Sequence, residues 1–252
     1  SIIAQQAGKY LKRCLLELGG KSPLVILDDA NIDEAVRAAI FGCFLYQGQI
    51  CMTTGRIIVD DKVADEFIEK FALAAQQLTQ GDPAVAGNEQ CIIGPLVETS
   101  SGERLNGIVK EAIDKGAQLV TGGTAEGATM PATILDKVTS DMRAYHEESF
   151  GPVISVIRVT GDEQALLVAN DTEYGLSASV FSGNFPRAMK LAKHIESGIC
   201  HINSATVNGE AQAPYGGTKA TGYGRFDGRA VIDEFTELRW VTVAPNHVHY
   251  PF

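Results

Sequence analysis

No two cysteines in this sequence stand at Cys-x-x-Cys spacing: five occur, at 14, 43, 51, 91 and 200, and the odd, scattered count suits neither a disulfide framework nor a zinc knuckle. Thiols used this way fit a reducing compartment. Basic charge is short as well, with 21 Lys and Arg against 31 Asp and Glu, so the net charge is −10 and the pI about 5.0. A chain this acidic has no general basic face for nucleic acid or for an anionic membrane surface. No apolar run approaches the ~18 residues of a membrane span, and no signal-peptide pattern opens the sequence. The cytoplasm is therefore the expected compartment, although a removed targeting segment would leave no trace. What is present is 252 residues, 45% hydrophobic, with 26 Gly and 9 Pro, enough to bury a substantial core and to hold more than one domain.

Apolar runs alternate with helical patterns. Pro23-Leu-Val-Ile-Leu27, Arg56-Ile-Ile-Val-Asp60 and Val153-Ile-Ser-Val-Ile-Arg-Val159 suit buried strands. Between them, Asn31 precedes an acidic first turn and a helical run to Phe41, and the stretch 63–78 sets Val63, Phe67 and Phe71 four apart. A further helix is expected over 98–115, with irregular chain at 81–93 and a glycine-rich loop at 122–127. The alternation predicts an α/β fold, a parallel-rich sheet flanked by helices. Near the end, Thr236-Glu-Leu-Arg-Trp-Val-Thr-Val243 alternates as an exposed edge strand would.

Several familiar motifs fail on inspection. Gly20-Lys21-Ser22 lacks the earlier glycine of a phosphate-binding loop, since Leu15 stands there, and Gly222-Tyr-Gly-Arg-Phe-Asp-Gly228 is one residue too long for Gly-x-Gly-x-x-Gly. His146-Glu-Glu-Ser-Phe150 has no second histidine for a zinc helix. His247 and His249 lack further ligands, so no metal site is expected.

Two segments carry chemistry. Phe44-Leu-Tyr-Gln-Gly-Gln-Ile-Cys51-Met-Thr sets one thiol between a glycine-bearing turn and what reads as a helical continuation. Leu16-Glu17-Leu-Gly-Gly-Lys-Ser-Pro23 supplies a carboxylate 34 positions earlier (51 − 17). A thiol nucleophile and a carboxylate base are the pair needed to form a covalent acyl intermediate and hydrolyse it. Alone, Cys51 equally suits a small buried hydrophobe and Glu17 an exposed strand end.

The flanks go further. Leu16-Glu-Leu-Gly-Gly-Lys-Ser-Pro23 and Gly48-Gln-Ile-Cys51 resemble, at the right separation, the two active-site signatures of the aldehyde dehydrogenase superfamily. Glu147-Glu-Ser-Phe-Gly-Pro-Val153 is similar to its Glu-x-Phe-Gly-Pro motif and Asn170-Asp-Thr-Glu-Tyr-Gly-Leu176 to its Asn-x-x-x-Tyr-Gly-Leu motif. Pro214-Tyr-Gly-Gly-Thr-Lys-Ala-Thr-Gly222 resembles its late glycine-rich loop, so five matches run in order along nearly the whole chain.

The resemblance implies an aldehyde dehydrogenase catalytic domain over 19–224, a remnant of the dinucleotide-binding domain at 1–18, and a return helix, oligomerisation strand and tail at 225–252. On this reading a longer cofactor-binding half precedes Ser1. The implied reaction is NAD- or NADP-dependent oxidation of an aldehyde through a Cys51 thiohemiacetal and thioester, with Glu17 as the hydrolytic base. Glu148, Phe150 and Gly19 fall on the cofactor side, and the Cys51 backbone N–H is one oxyanion donor. Lys21 either steers cofactor phosphates or caps a carboxylate, while Asn203, Tyr215 and Gly216 border the substrate. Thr53 stands where the family commonly has Ala, a hydroxyl that needs a partner if buried. That departure, with Gly48-Gln-Ile-Cys-Met52 and the Asn203-Ser-Ala-Thr-Val-Asn-Gly209 region, looks most like the branch acting on aromatic aldehydes of the benzaldehyde, salicylaldehyde and vanillin type. The full-length protein is expected to be a homo-oligomer. Two other readings remain open: a cofactor-independent thiol esterase, and a noncatalytic structural fragment.

Overall fold

Strand and helix spacings in the sequence become a single mixed sheet with helices on both faces, in a computed structural model that describes residues 2–252. The chain begins with α1 (Ile2–Lys9), β1 (Ser22–Ile26), α2 (Ile32–Phe44), β2 (Thr54–Asp60), α3 (Asp61–Gln76) and α4 (Thr99–Asp114). It continues through β3 (Gln118–Thr121), β4 (Thr133–Asp136), α5 (Arg143–His146), β5 (Val153–Val159) and α6 (Gly161–Asn170). Then follow β6 (Tyr174–Gly175), β7 (Ser177–Phe181), α7 (Phe185–Ala192), β8 (Ile199–Ile202), β9 (Thr218–Lys219) and α8 (Ala230–Phe235).

The main sheet has the order β3-β4-β5-β2-β1-β7-β8, and β6 pairs with β9 in a separate two-stranded ribbon. Only β3 runs antiparallel in the main sheet. β1 and β2 lie at its centre, with Leu24 opposite Ile57, and β2 carries Ile57 opposite Val156 of β5. Being covered on both faces, these strands are buried at nearly every position, which is why their apolar residues read as runs rather than alternations.

Alternation reappears in which face each residue serves. Leu24, Ile26, Ile57 and Val59 pack under α2 and α3, where Phe44, Phe67 and Phe71 stack at 5.9 and 5.4 Å between ring centroids. Val25, Ile58, Val153 and Ile157 face the opposite layer with Leu105, Ile108, Tyr145, Ala165 and Leu191. Each fully buried ring of this kind contributes about 1.5–3 kcal/mol, before the entropy of ordering it is subtracted.

Local chemistry starts the helices where the sequence indicates. Asn31 accepts from the Glu34 N–H, opening α2 as expected. Asp60 accepts from the Lys62 N–H at 3.1 Å and from the Gly161 N–H at 2.9 Å, fixing the starts of α3 and α6 together. Among the described residues no helix is long and apolar enough to cross a membrane.

One expectation fails within the chain. Residues 236–243 form no strand: Arg13 holds the Thr236 carbonyl at 2.7 Å and lies 3.6 Å from Glu237, and beyond these Leu238 and Trp240 are almost wholly exposed. A lone extended segment leaves its backbone N–H and C=O groups unpaired, and none of this chain's sheet edges is offered to it.

Candidate active site

The turn that presents Cys51 is built from an unfavourable backbone. After α2 the chain enters a tight 3-10 turn, Leu45–Gly48, in which Tyr46 and Gln47 have φ of 53° and 56° and Gly48 has 71°. Left-handed backbone costs a residue with a side chain about 1–2 kcal/mol, so the surroundings must hold it there. Gln47 Nε2 donates to the Pro95 carbonyl at 3.2 Å, and the Val97 N–H donates to Gln49 Oε1 at 3.0 Å. Gly48 is required twice over, since a Cβ there would meet the Gly151 carbonyl at 2.5 Å.

Cys51 itself lies in a turn between Ile50 and Thr53. The Thr53 N–H donates to the Ile50 carbonyl at 2.9 Å, and the Ile50 N–H donates to Thr53 Oγ1 at 3.3 Å. That second bond gives the unusual Thr53 hydroxyl its partner. Thr206 Oγ1 donates to the Met52 carbonyl at 2.8 Å and lies 2.8 Å from Thr54 Oγ1. The helical continuation expected after Cys51 does not form: β2 begins at Thr54 and is claimed at once by β1 and β5, every residue buried. Tertiary pairing outweighs a local helical pattern here.

Glu17 is bracketed by two backbone bonds, from the Leu16 N–H to the Tyr223 carbonyl at 3.0 Å and from the Leu18 N–H to the Thr221 carbonyl at 2.9 Å. These tie it to the late glycine-rich segment. In the same segment Tyr215 exchanges backbone bonds with Phe226 at 2.7 and 2.6 Å, and its hydroxyl lies 3.2 Å from Cys51 Sγ. At Gly216, with φ 149°, a Cβ would stand 3.2 Å from Glu17 Oε1 and 2.6 Å from the Gly224 carbonyl. The Tyr215-Gly216 step therefore touches both the thiol and the carboxylate that the sequence singled out. Glu17 stays open to solvent, yet the protein around it pushes its pKa above the ordinary carboxylate value, with the Arg225 guanidinium pulling the other way. Burial first, then the Cys51 sulfur and the Glu17 and Asp227 charges, hold the Tyr215 phenol far above its usual range, so it keeps its proton.

On the other side of Cys51 lie Gly19, Gly20 and Glu148. The Gly20 N–H donates to Glu148 Oε1 at 2.8 Å, and a Cβ on Gly19 would stand 2.6 Å from Glu148 Oε2. A Cβ on Gly20 would lie 2.2 Å from the Cys51 carbonyl oxygen, so the two glycines let three backbone segments converge. Arg104 of α4 donates to the Glu148 and Ser149 carbonyls and presents the loop. Phe150, at φ 45° and 42% exposed, projects from it. Desolvation raises the Glu148 pKa, opposed by the Gly20 bond and by Lys21 and Arg104.

Lys21 is not where a steering role would need it. Its side chain is fully buried and Nζ donates to Ser149 Oγ at 3.0 Å, so it has no path to a phosphate in solvent. Burial, then the neighbouring Arg56, lower its pKa to about 7, with Glu148 opposing. Asn203 is likewise structural: its amide bonds both ways with the Ser182 backbone, at 3.0 and 3.1 Å.

Two contributors escaped the sequence reading. Arg56 is a buried cation inside an apolar strand, and its guanidinium donates to the Val168, Ala169 and Asp171 carbonyls at 2.9–3.1 Å, capping the end of α6. An arginine inside an apolar run was the available signal. Thr206 gave none, because its partner Met52 lies 154 residues away.

The profile described as "Aldehyde dehydrogenase family" matches residues 1–241. A salicylaldehyde dehydrogenase of Pseudomonas putida is 63% identical over 252 residues, covering 100% of this chain and 52% of that protein. A vanillin dehydrogenase of Pseudomonas fluorescens is 51% identical over 250 residues, covering 99% of this chain and 51% of that protein. Among solved structures, a salicylaldehyde dehydrogenase from Pseudomonas putida G7 complexed with salicylaldehyde superposes with a TM-score of 0.95 at 61% identity, over 100% of this chain and 51% of that one. The chain spans about half the length of the curated relatives it matches.

Proposed function

This chain belongs to the aldehyde dehydrogenase family, and on that footing we propose that it carries the catalytic half of an enzyme that oxidises an aromatic aldehyde to the carboxylic acid with NAD or NADP. One observation supports the reading above the others: Cys51, in a tight turn, and Glu17 are both touched by the Tyr215-Gly216 step. The aromatic class is supported by the salicylaldehyde and vanillin dehydrogenases among its relatives.

Cys51 is the nucleophile. Its thiolate adds to the carbonyl carbon and the oxygen takes up the negative charge, to which the Cys51 backbone N–H donates. A bound nicotinamide supplies the hydride acceptor. The acyl group left on Cys51 is a thioester, electrophilic enough for water. Glu17 takes the proton of that water, and a carboxyl pKa above the ordinary value suits a base. The collapsing adduct releases the acid and returns the thiolate.

Residues 148–150 and Gly19 fit a nicotinamide riboside. Glu148 Oε1 is held by Gly20, while Oε2 faces the space left by the missing Gly19 side chain, an acceptor suited to ribose hydroxyls. Phe150 would hold the ring. We assign 19–224 to the catalytic domain, 1–18 to the edge of a dinucleotide-binding domain and 225–252 to an oligomerisation arm. The exposed Leu238, Trp240 and Val243 support a strand that pairs with a second copy in a homo-oligomer. We place the enzyme in the cytoplasm, in keeping with five free cysteines.

The test is NADH or NADPH formation by the full-length protein with benzaldehyde, salicylaldehyde or vanillin, wild type against Cys51→Ala. Equal rates in the two would refute the thiol mechanism.

A further inference from the structure

The Tyr215 phenol beside the Cys51 sulfur stands among carboxylates. Glu17 approaches Gly216 from the segment before β1, and both Glu17 and Asp227 act on Tyr215. Arg225 is the neighbouring cation, but its Nη1 is turned to the Gly217 and Gly224 carbonyls at 2.9 and 2.7 Å. Behind Gly20, Lys21 is committed to Ser149 and Glu148 to the Gly20 N–H. A thiolate, as a charged acceptor, is stabilised by a hydrogen-bond donor directed at it. Among the described residues the sulfur has one side-chain partner, the Tyr215 hydroxyl at 3.2 Å.

Either atom of this pair could carry the proton between them, and chemistry selects the direction. A thiolate has no proton to give, and the half-buried phenol among carboxylates retains its own. The ring is also fixed in place. Both backbone groups of Tyr215 are bonded to Phe226, and the next residue, Gly216, is packed so closely on Gly198 that no side chain would fit between them.

We infer that Tyr215 is a positioning residue for the nucleophile: its O–H donates to Cys51 Sγ, stabilises the thiolate and aims it from the turn. The inference rests on the reading of Cys51 as the nucleophile and adds to it the group that donates to the sulfur when it carries the charge. When the sulfur bonds to carbon it becomes a weak acceptor, and the phenol is released to the adduct.

The test is alkylation of the purified protein by iodoacetamide across a pH series, with each cysteine followed separately by mass spectrometry. Iodoacetamide reacts with the thiolate, forming a sulfur–carbon bond and expelling iodide. A donor to a charged acceptor is worth about one pH unit or more in the acceptor's titration. Tyr215→Phe should therefore raise the midpoint of the Cys51 profile by about one unit and slow its alkylation near neutrality about tenfold. The Cys14 and Cys91 profiles should stay where they are. Replacing Tyr215 with 3-fluorotyrosine, a stronger donor of the same shape, should move the Cys51 midpoint down, a reversal of sign that loss of packing would not produce. An unmoved Cys51 profile in both variants, or one shifted the same way in both, overturns the inference. Alkylation of the buried Cys43 reports unfolding, in which case the fluorotyrosine protein decides. Neither aldehyde nor nicotinamide is needed, so a protein that oxidises no aldehyde still answers the question about Tyr215.

Discussion

Two thiol–phenol contacts involve one glycine-rich stretch: Cys51 with Tyr215 at 3.2 Å, and Cys14 with Tyr223 at 3.0 Å. By distance alone they are alike. Tyr215 is half-buried, with burial the leading reason its pKa is raised, whereas Tyr223 is 51% exposed and its hydrogen bond to Cys14 is the leading cause of its smaller rise. Cys51 lies in a turn fixed by Thr53, Thr206 and Gly20, while Cys14 lies in irregular chain between α1 and β1. The difference teaches that a short contact gains chemical meaning from what immobilises it and excludes water around it. A hydrogen bond open to solvent exchanges with water at little net cost.

The sharpest way to break the comparison is to remove each thiol. Cys51→Ala should lower aldehyde oxidation by about a thousandfold or more, as loss of a covalent nucleophile does, while Cys14→Ala should leave the rate unchanged. Equal losses would mean that the two pairs are functionally equivalent. Next in size is Glu17→Gln, expected to slow thioester hydrolysis about a hundredfold or more, with acyl-enzyme accumulating in a burst experiment. In the wild type the hydrolytic step should fall off on the acid side with a midpoint above the ordinary glutamate value, since the base must be ionised to act and its pKa is raised. A midpoint at or below that of free glutamate would contradict this.

Smaller effects probe what holds the Cys51 pair. Gly20→Ala forces a methyl against the Cys51 carbonyl, where a Cβ would stand at 2.2 Å, and should cost tens of fold in kcat by displacing the turn. No comparable glycine backs Cys14, so Gly8→Ala, with open space around its Cβ position, should be silent. Lys21 gives a stability signature. Its pKa is lowered to about 7 in the fold, so between that value and the ordinary lysine value the unfolded chain binds a proton that the folded chain does not. Stability should therefore rise with pH over this window, by at most about 1.4 kcal/mol per unit, and Lys21→Met should flatten the slope in denaturant titrations. Smallest of all, Tyr223→Phe should change kcat by less than about twofold, the size of a solvent-exposed hydrogen bond.

Much of the site was legible because its motifs encode backbone demands as well as side chains. Gly48 and Gly20 occupy positions where a Cβ would meet the Gly151 and Cys51 carbonyls, so the residues around Cys51 and Glu17 carry the mark of the convergence they permit. Helix starts at Asn31 and Asp60 were equally local, although only Asn31 was read. The misreadings share a cause. A helix is expected after Cys51 where β1 and β5 capture the chain as β2, and of the two roles open to Lys21 the phosphate one fails because Arg56, Ser149 and the β1–β2 pairing enclose it. Residues 236–243 alternate like a strand but find no edge in their own chain. For Cys51 and Lys21 the deciding partners lie elsewhere in the sequence.

Periodicity and residue identity by themselves determined the α/β class, the buried central strands, and Cys51 and Glu17 as the candidate thiol and carboxylate. These are short-range properties, set by which face of a helix or strand a residue occupies and by the turns glycine permits. Tertiary structure alone decided that Tyr215, 164 residues from Cys51, meets the sulfur while Tyr223 meets another thiol, that Lys21 is sealed, and that Thr206 pins the turn. Such contacts depend on the order in which seven strands pair and on the loops that order brings together, and no local pattern specifies that order.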